Sequence, residues 1–353
     1  MEKSRPWHSA LRQKLQGYFF RFLKFVTPAK NAQEVINDKI ESILIVRINY
    51  RIGNLLFITP IIQQLQKDFP NAKVDVLIGA GFVAPLFEGF SNVEKIYDFP
   101  RKKLKNPIEA WRYIKQLRSK RYDVVLNVNY GSSSDKTATL LANAKYKVGF
   151  CQDDSYTPAT HCVVKKDNVK HASLKPLELM KAFGKKPDYT LRMDVALSAE
   201  EKAKAKQELE KLLPDPKGKV VAIFRNARWE KKIEDSWWES LVKELYAQDT
   251  TLTVIDLLSP DIKEPLEGMI SYEEKNLRKL AAFMANLDGF ICADTGPMHL
   301  ASASGVATVA LFSTTDIPSY APIGAKDTYI KYKEKTHKEV VRLVLEHLKK
   351  TKS

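Results

Sequence analysis

The chain has 353 residues, 44% of them apolar, which is enough for two ordinary domains with separate cores and excludes a disordered chain. Lys and Arg outnumber Asp and Glu by 57 to 42, a formal charge of +15, so the surface suits an anionic partner: nucleic acid, a phosphorylated small molecule or an acidic membrane. Cys151, Cys162 and Cys292 suggest neither a ligand cluster nor a disulfide framework; with no signal peptide and no apolar run near the roughly 20 residues that cross a bilayer, a cytoplasmic body is expected.

The first element is "WHSALRQKLQGYFFRFLKFV", where Trp7, Leu11, Leu15, Phe19, Phe22, Leu23 and Val26 recur at helical spacing while Arg12, Lys14, Arg21 and Lys24 fall largely off that stripe. A basic amphipathic helix with aromatic residues suits a membrane interface, and it suits docking on the protein's own core equally well. "TPAKNAQEV" reads as a linker, so residues 1–40 form an extension. No helix-turn-helix, zinc-finger or aromatic RNA-binding signature occurs, so no nucleic acid partner is expected.

From residue 43 short β-branched runs alternate with helical patterns, the signature of a parallel sheet covered on both faces. Strands are predicted at 43–48, 73–79 and 122–128, with helices at about 55–68, 107–119 and 134–143. A charged helix follows, opened by a capping box of Ser198 and Glu201. The pattern then restarts, with strands at 219–224, 251–258, 289–294 and 306–312 and helices at about 235–247, 274–286 and 297–304. This is an α/β chain of two doubly wound, Rossmann-like domains, residues 41–190 and 191–335, with a hinge near 185–200 and a central cleft beyond the carboxyl ends of the strands. The last stretch, 336–353, is a helix expected to pack across the domains.

Three strand-to-loop turns carry candidate chemistry. In "ILIVRINYRIGNLLFITP" the chain turns at Gly53 and projects Arg47, Arg51 and Asn54 toward the cleft. Neither a Walker loop nor a G-x-G-x-x-G fingerprint occurs, which counts against kinase and dehydrogenase chemistry. "AIFRNARWEKKIEDSWW" places Arg225, Arg228, Lys231 and Lys232 in one loop, a density that suits phosphate clamping but alone reads as a solvated basic loop; Trp237 and Trp238 fit packing on the sheet. "ICADTGPMHLASASGV" runs strand, turn, helix: Asp294 ends the strand, Thr295 and Gly296 turn, and Pro297 fits the first helical position. The free amides of that turn, with the helix dipole, make a diphosphate site that Gly296 lets approach and His299 can reach; simple capping by Asp294 and Thr295 is the alternative.

These stretches resemble the ADP-heptose:lipopolysaccharide heptosyltransferases, glycosyltransferase family 9. "ILIVRINYRIGNLLFITPIIQQLQKDFPNAKVDVLI" looks like the family's opening strand, loop and helix, and "ICADTGPMHLASASGVATVALFSTTD" like its nucleotide-site signature, within a similarity covering roughly residues 43 to 330. The resemblance implies a GT-B fold, inversion at the sugar carbon, no metal or other cofactor, and heptose transfer from ADP-heptose to a Kdo or heptose of the lipopolysaccharide inner core in a Gram-negative cell. It also implies a lipid A-core acceptor at the cytoplasmic face of the inner membrane; the amphipathic N-terminus, which lies outside the similarity, would keep the enzyme there. Asp294, Thr295, Gly296 and His299 match the D-T-G-x-x-H segment that binds the ADP diphosphate, and Lys231, or Lys232 if the loop is gapped, matches a phosphate-binding lysine. Asn226 and Ala227 fall where the family often has hydroxyl residues near the phosphates, and Arg51 and Gly53 lie in the opening loop. The basic stretch "FPRKKLKNP" suits contact with a phosphorylated core sugar of the acceptor and suits a solvated loop ahead of a helix equally well.

One departure bears on mechanism. The family's loop carries an aspartate as general base, and here that position is Asn54, whose amide takes no proton at neutral pH. Three routes stay open: another carboxylate among Asp135, Asp153 and Asp154, assistance by an acceptor phosphate, or a weakened relative that only binds its nucleotide sugar. A same-fold transferase using another nucleotide sugar is a further alternative.

Overall fold

The computed structural model describes Tyr18 and residues 34–99, 106–151, 157–164, 168–313 and 315–351; the stripe of the N-terminal helix, the basic run 101–105, Asp153 and Asp154 lie outside the described residues. The first domain is a parallel sheet of β1 (Ser42–Arg47), β2 (Lys73–Ile78), β3 (Val93–Asp98), β4 (Tyr122–Asn127), β5 (Ala144–Cys151) and β6 (His161–Val164), in the order β3-β2-β1-β4-β5-β6. The second is built from β7 (Val220–Phe224), β8 (Thr253–Leu257), β9 (Ile270–Tyr272), β10 (Gly289–Ala293), β11 (Thr308–Phe312) and β12 (Thr328–Lys331), in the order β12-β11-β10-β7-β8-β9. Central strands such as β1, β7 and β10 read as unbroken apolar runs because helices cover both faces, and the interiors of all three are buried. Each sheet reverses its strand order once, between β1 and β4 in the first and between β7 and β10 in the second.

The helices are α1 (Ile52–Leu56), α2 (Thr59–Asp68), α3 (Pro107–Arg118), α4 (Ser133–Leu141), α5 (Ala199–Leu212), α6 (Asp235–Gln248), α7 (Leu277–Met284), α8 (Gly296–Ser304), α9 (Ile317–Tyr320) and α10 (His337–Lys350). The capping box of α5 forms as its residues dictate: Ser198 Oγ accepts from Glu201 N at 3.1 Å and Glu201 Oε2 from Ser198 N at 2.8 Å. The single helix expected over 55–68 is two, because Pro60 starts a second helix at its N-terminal turn. Gly53 is therefore a helical residue of α1, not the pivot of a loop.

Three further expectations are corrected. Ile36 and Ile40 are buried in the first domain's core and Ile36 N donates to Ala182 O at 2.9 Å, so the extension ends before residue 40. Among the described residues, the helix α10 packs on the second domain's core: Val340, Val341, Val344 and Leu348 join Val221, Trp238 and Leu241, and Lys219 Nζ donates to Leu348 O. Cys151 and Cys162 form a disulfide with Cα atoms 5.4 Å apart, because β5 and β6 are neighbours in the sheet, an adjacency their spacing does not reveal; Cys292 is free and buried. No described helix is long and apolar enough to cross a membrane.

Candidate active site between the two sheets

The carboxyl ends of β1 and β10 lead into helices that touch. Where β10 stops, Thr295 takes extended angles and α8 begins at Gly296 with Pro297 in its first turn, where a missing N–H costs nothing. Neither candidate cap caps: Thr295 makes no side-chain cap bond, and Asp294 Oδ2 instead accepts from Lys231 Nζ at 2.6 Å. Among the described residues no side chain caps the first turn of α8, and uncapped amides of this kind suit an anion. Ala301, Ser302 and Ala303 are buried, so α8 lies close on its sheet, and Gly305 closes it at φ 85°, a left-handed position suited to glycine.

Lys231 reaches Asp294 across the strand reversal of the second sheet. The loop after β7 carries Lys231 and the turn after β10 carries Asp294, so the pair stands at the switch point where doubly wound sheets hold their ligands. Lys232 points into solvent, so the geometry brings Lys231 and not Lys232 to the turn. Arg225, counted among the clamping cations, is committed elsewhere. It is 2% exposed and bonds Asp256 at 2.9 Å, Asp235 at 2.7 Å and Glu264 O at 2.9 Å. Asn226 is likewise engaged, by Ser259 Oγ at 2.8 Å and Asp261 at 3.3 Å, while Ala227 is buried and Arg228 exposed.

The first domain supplies the facing wall. Beyond Gly296 lies the start of α1: a β-carbon built on Gly296 would stand 3.4 Å from Ile52 Cβ. His299, on the next turn, is pressed against Gly53, whose hydrogen-only side chain leaves room for the imidazole, and against the Phe57 ring at 4.8 Å. That imidazole is 5% exposed and its Nδ1 has no hydrogen-bond partner among the described residues; burial, with His171 and Lys231 nearby, lowers its pKa to about 3. Phe57 also stacks on Tyr320 of α9 at 6.2 Å and meets His171 edge-on at 5.9 Å. Leu55, Phe57, Met298 and Leu300 share one apolar cluster running through both domains.

The surroundings of Asn54 are polar and hydrogen-bonded. Asn49 Oδ1 accepts from Arg51 N at 2.9 Å and Asn54 Nδ2 at 3.3 Å, and Arg47 Nε donates to Asn54 O at 3.2 Å. Arg51 is exposed, its guanidinium 5.6 Å from the Trp229 ring, which bridges the two walls. Asp135, one candidate replacement base, is fully buried, with Oδ1 taken by Ile48 N at 3.0 Å and Oδ2 by Asn129 Nδ2 at 3.0 Å. Burial raises this carboxyl to about 6. It anchors the end of β1 instead of facing the cleft, a role sequence reasoning missed because Asp135 stands 87 residues from its backbone partner.

Comparison with known proteins agrees with this architecture. The sequence model of glycosyltransferase family 9 (heptosyltransferase) matches residues 110–349. The chain is 24% identical over 298 residues to lipopolysaccharide heptosyltransferase 3 of Escherichia coli strain K12, covering 76% of this chain and 82% of that protein. It is 22% identical over 316 residues to the lipopolysaccharide core heptosyltransferase OpsX of Haemophilus influenzae, covering 85% and 87%. The solved E. coli heptosyltransferase WaaC with ADP superposes with a TM-score of 0.69 at 20% identity over 87% of this chain and 99% of that one, which establishes the two-sheet α/β arrangement as GT-B. With that fold and a family match over most of its length, the chain belongs to glycosyltransferase family 9, the heptosyltransferases.

Proposed function

We propose that this transferase moves heptose from ADP-heptose to a sugar of the lipopolysaccharide inner core by a single inverting displacement. The observation that carries the reading is the Lys231–Asp294 pair, 2.6 Å apart at the second sheet's switch point beside the open amide end of α8. A cation and a helix N-terminus together suit a diphosphate, and they neutralise the charge that grows on ADP as its bond to the anomeric carbon breaks. Lys231 and the α8 amides supply this stabilisation without a metal ion. An acceptor hydroxyl, presented by the first domain beside Asn54, forms the new bond to that carbon from the opposite face. The relatives' names, a lipopolysaccharide heptosyltransferase and a lipopolysaccharide core heptosyltransferase, support the choice of donor sugar and acceptor.

The hydroxyl proton passes to a base that Asn54 does not provide. Asp153 and Asp154 remain candidates, as does a phosphate on the acceptor; Asp135 does not, since both of its oxygens are engaged. The N-terminal segment, by the amphipathic pattern of its sequence, keeps the enzyme on the cytoplasmic face of the inner membrane beside a lipid-linked acceptor.

The test is donor competition with purified protein: ADP-heptose against UDP- and GDP-sugars, read as release of the free nucleotide in the presence of a core acceptor. Release from ADP-heptose alone is the expected result, and preference for a UDP- or GDP-sugar would overturn the donor assignment. The Asn54 amide favours a second reading, a relative that binds its nucleotide sugar without turning it over. Comparing Asn54→Asp and Asn54→Ala with the native protein separates the two: activity gained only in Asn54→Asp supports the weakened relative, and equal activity in all three excludes this position from proton transfer.

A further inference from the structure

Among the described residues, nothing packs on the outer face of α3. On its inner side Tyr113 meets Phe99 edge-on at 5.2 Å and Leu117 is buried, which fixes the helix on the first sheet. On its outer side Ile108 is 63% exposed and Trp111 61% exposed, one helical turn apart. Lys115 lies a turn further on with its Nζ 5.3 Å from the Trp111 ring, and Arg112, Arg118 and Arg121 are exposed around them. The one acidic residue of α3, Glu109, pairs with Arg112 at 2.7 Å, so the face keeps a net positive charge.

The place of this face in the fold matters as much as its chemistry. The strands of the first sheet are parallel, so β3 ends at the same edge as β1, and Phe99 N donates to Ile78 O there at 2.8 Å. The helix α3 starts beyond that edge and runs back along the sheet, which puts Ile108 and Trp111 toward the side of the domain from which Arg47 to Asn54 emerge.

We infer that the α3 face bearing Ile108 and Trp111 docks the first domain onto an anionic lipid bilayer. An indole with its polar N–H rests at the boundary between headgroups and acyl chains, an isoleucine beside it adds buried area, and flanking lysine and arginine heads reach phosphates while their stems lie along the apolar surface. A net charge of +15 adds attraction that salt weakens. This contact is separate from the N-terminal helix and does not depend on which sugar is transferred.

The experiment uses the full chain with sucrose-loaded vesicles of phosphatidylethanolamine and phosphatidylglycerol, against vesicles of phosphatidylcholine. Ile108→Ser with Trp111→Ser should lower affinity for the anionic vesicles by at least about tenfold at an unchanged thermal midpoint. Lys115→Glu should lower it too, with a shallower salt dependence. Brominated lipid should quench a fluorescence component that is missing from Trp111→Phe, which places Trp111 itself in the bilayer rather than Trp7 of the N-terminal segment. Three outcomes would overturn the inference: equal vesicle binding by native protein and double variant, quenching that Trp111→Phe does not change, or a solution dimer that only the double variant dissolves, which would make the face a protein contact.

Discussion

A methyl group at position 53 would collide with the Cδ2 edge of His299, so the first domain's opening helix α1 and the second domain's helix α8 are fitted through a glycine. Gly53 adopts helical angles, so the glycine is needed for closeness alone. Gly53→Ala must push α1 and α8 apart or rotate His299, at a cost of about 1–3 kcal/mol. The expected outcome is a thermal midpoint several degrees lower and a slower transfer step. An unchanged midpoint would mean the two helices part freely.

Lys231 is 31% exposed, so its pair with Asp294 adds little to folding. Its removal should instead be felt by the ligand, since charge-assisted hydrogen bonds to phosphate contribute about 1.5–3 kcal/mol. Lys231→Ala should therefore weaken ADP binding by roughly 10- to 150-fold in calorimetric titration with a near-native melting curve. Lys232→Ala, whose side chain faces solvent, should leave ADP affinity unchanged. Equal losses in both would show that the loop rearranges when the nucleotide enters.

The buried imidazole of His299 makes stability depend on pH. Its pKa falls from 6.5 to about 3 on folding because burial disfavours the cation. The neutral ring therefore stabilises the fold fully above the unfolded value of 6.5, and that contribution is lost as pH drops from there toward about 3. Between pH 7 and 5 the loss amounts to about 2 kcal/mol. Asp135 works in the opposite sense: raised from 3.8 to about 6, it favours the fold below 3.8 and loses that contribution as pH rises through about 6. Comparing urea unfolding of His299→Gln with the native protein at both pH values isolates the histidine, and the variant should lose less stability on acidification. Parallel losses would assign the acid sensitivity elsewhere.

How much of this could be read from the residues follows from burial. The central strands announce themselves as apolar runs because they are covered on both faces, and all seven predicted strands are present. The unpredicted strands β3, β6, β9 and β12 are edges, short or carrying mixed polar sequence such as "VEKIYD" and "TYIK", and β5 beside an edge opens with "AKYK". At the site, "ADTGPMH" was legible because strand, turn and helix signals are adjacent in the chain. Arg225 and Asp135 were not, since what settles them are partners such as Asp256 and Ile48, which only the folded sheets bring near. The disulfide between Cys151 and Cys162 was hidden for the same reason.

Arg278 ties α7 of the second domain to the segment that joins the two halves. From α7 of the second domain its guanidinium bonds Glu201 at 2.5 and 2.8 Å, and it also donates to Val195 O at 2.7 Å and Ala196 O at 3.0 Å. Those two carbonyls lie where the chain passes from the first sheet to the second, and Ala196 is held there at φ 46°, a left-handed angle that a residue with a β-carbon keeps only when its surroundings impose it. Arg278 is 9% exposed, so Arg278→Met leaves the Val195 and Ala196 carbonyls without their donor and should cost about 1–3 kcal/mol. Arg278→Lys keeps the charge but not the planar fork, and separates folding from positioning. Lys231 and Asp294 both belong to the second domain, so ADP affinity in Arg278→Lys should stay within about twofold of native. Transfer, which needs residues of both domains, should slow by about tenfold or more, because small misplacements of reacting groups carry large rate penalties. If ADP affinity and transfer rate instead fall together, Arg278 supports the second domain's own core and the link to domain placement is wrong.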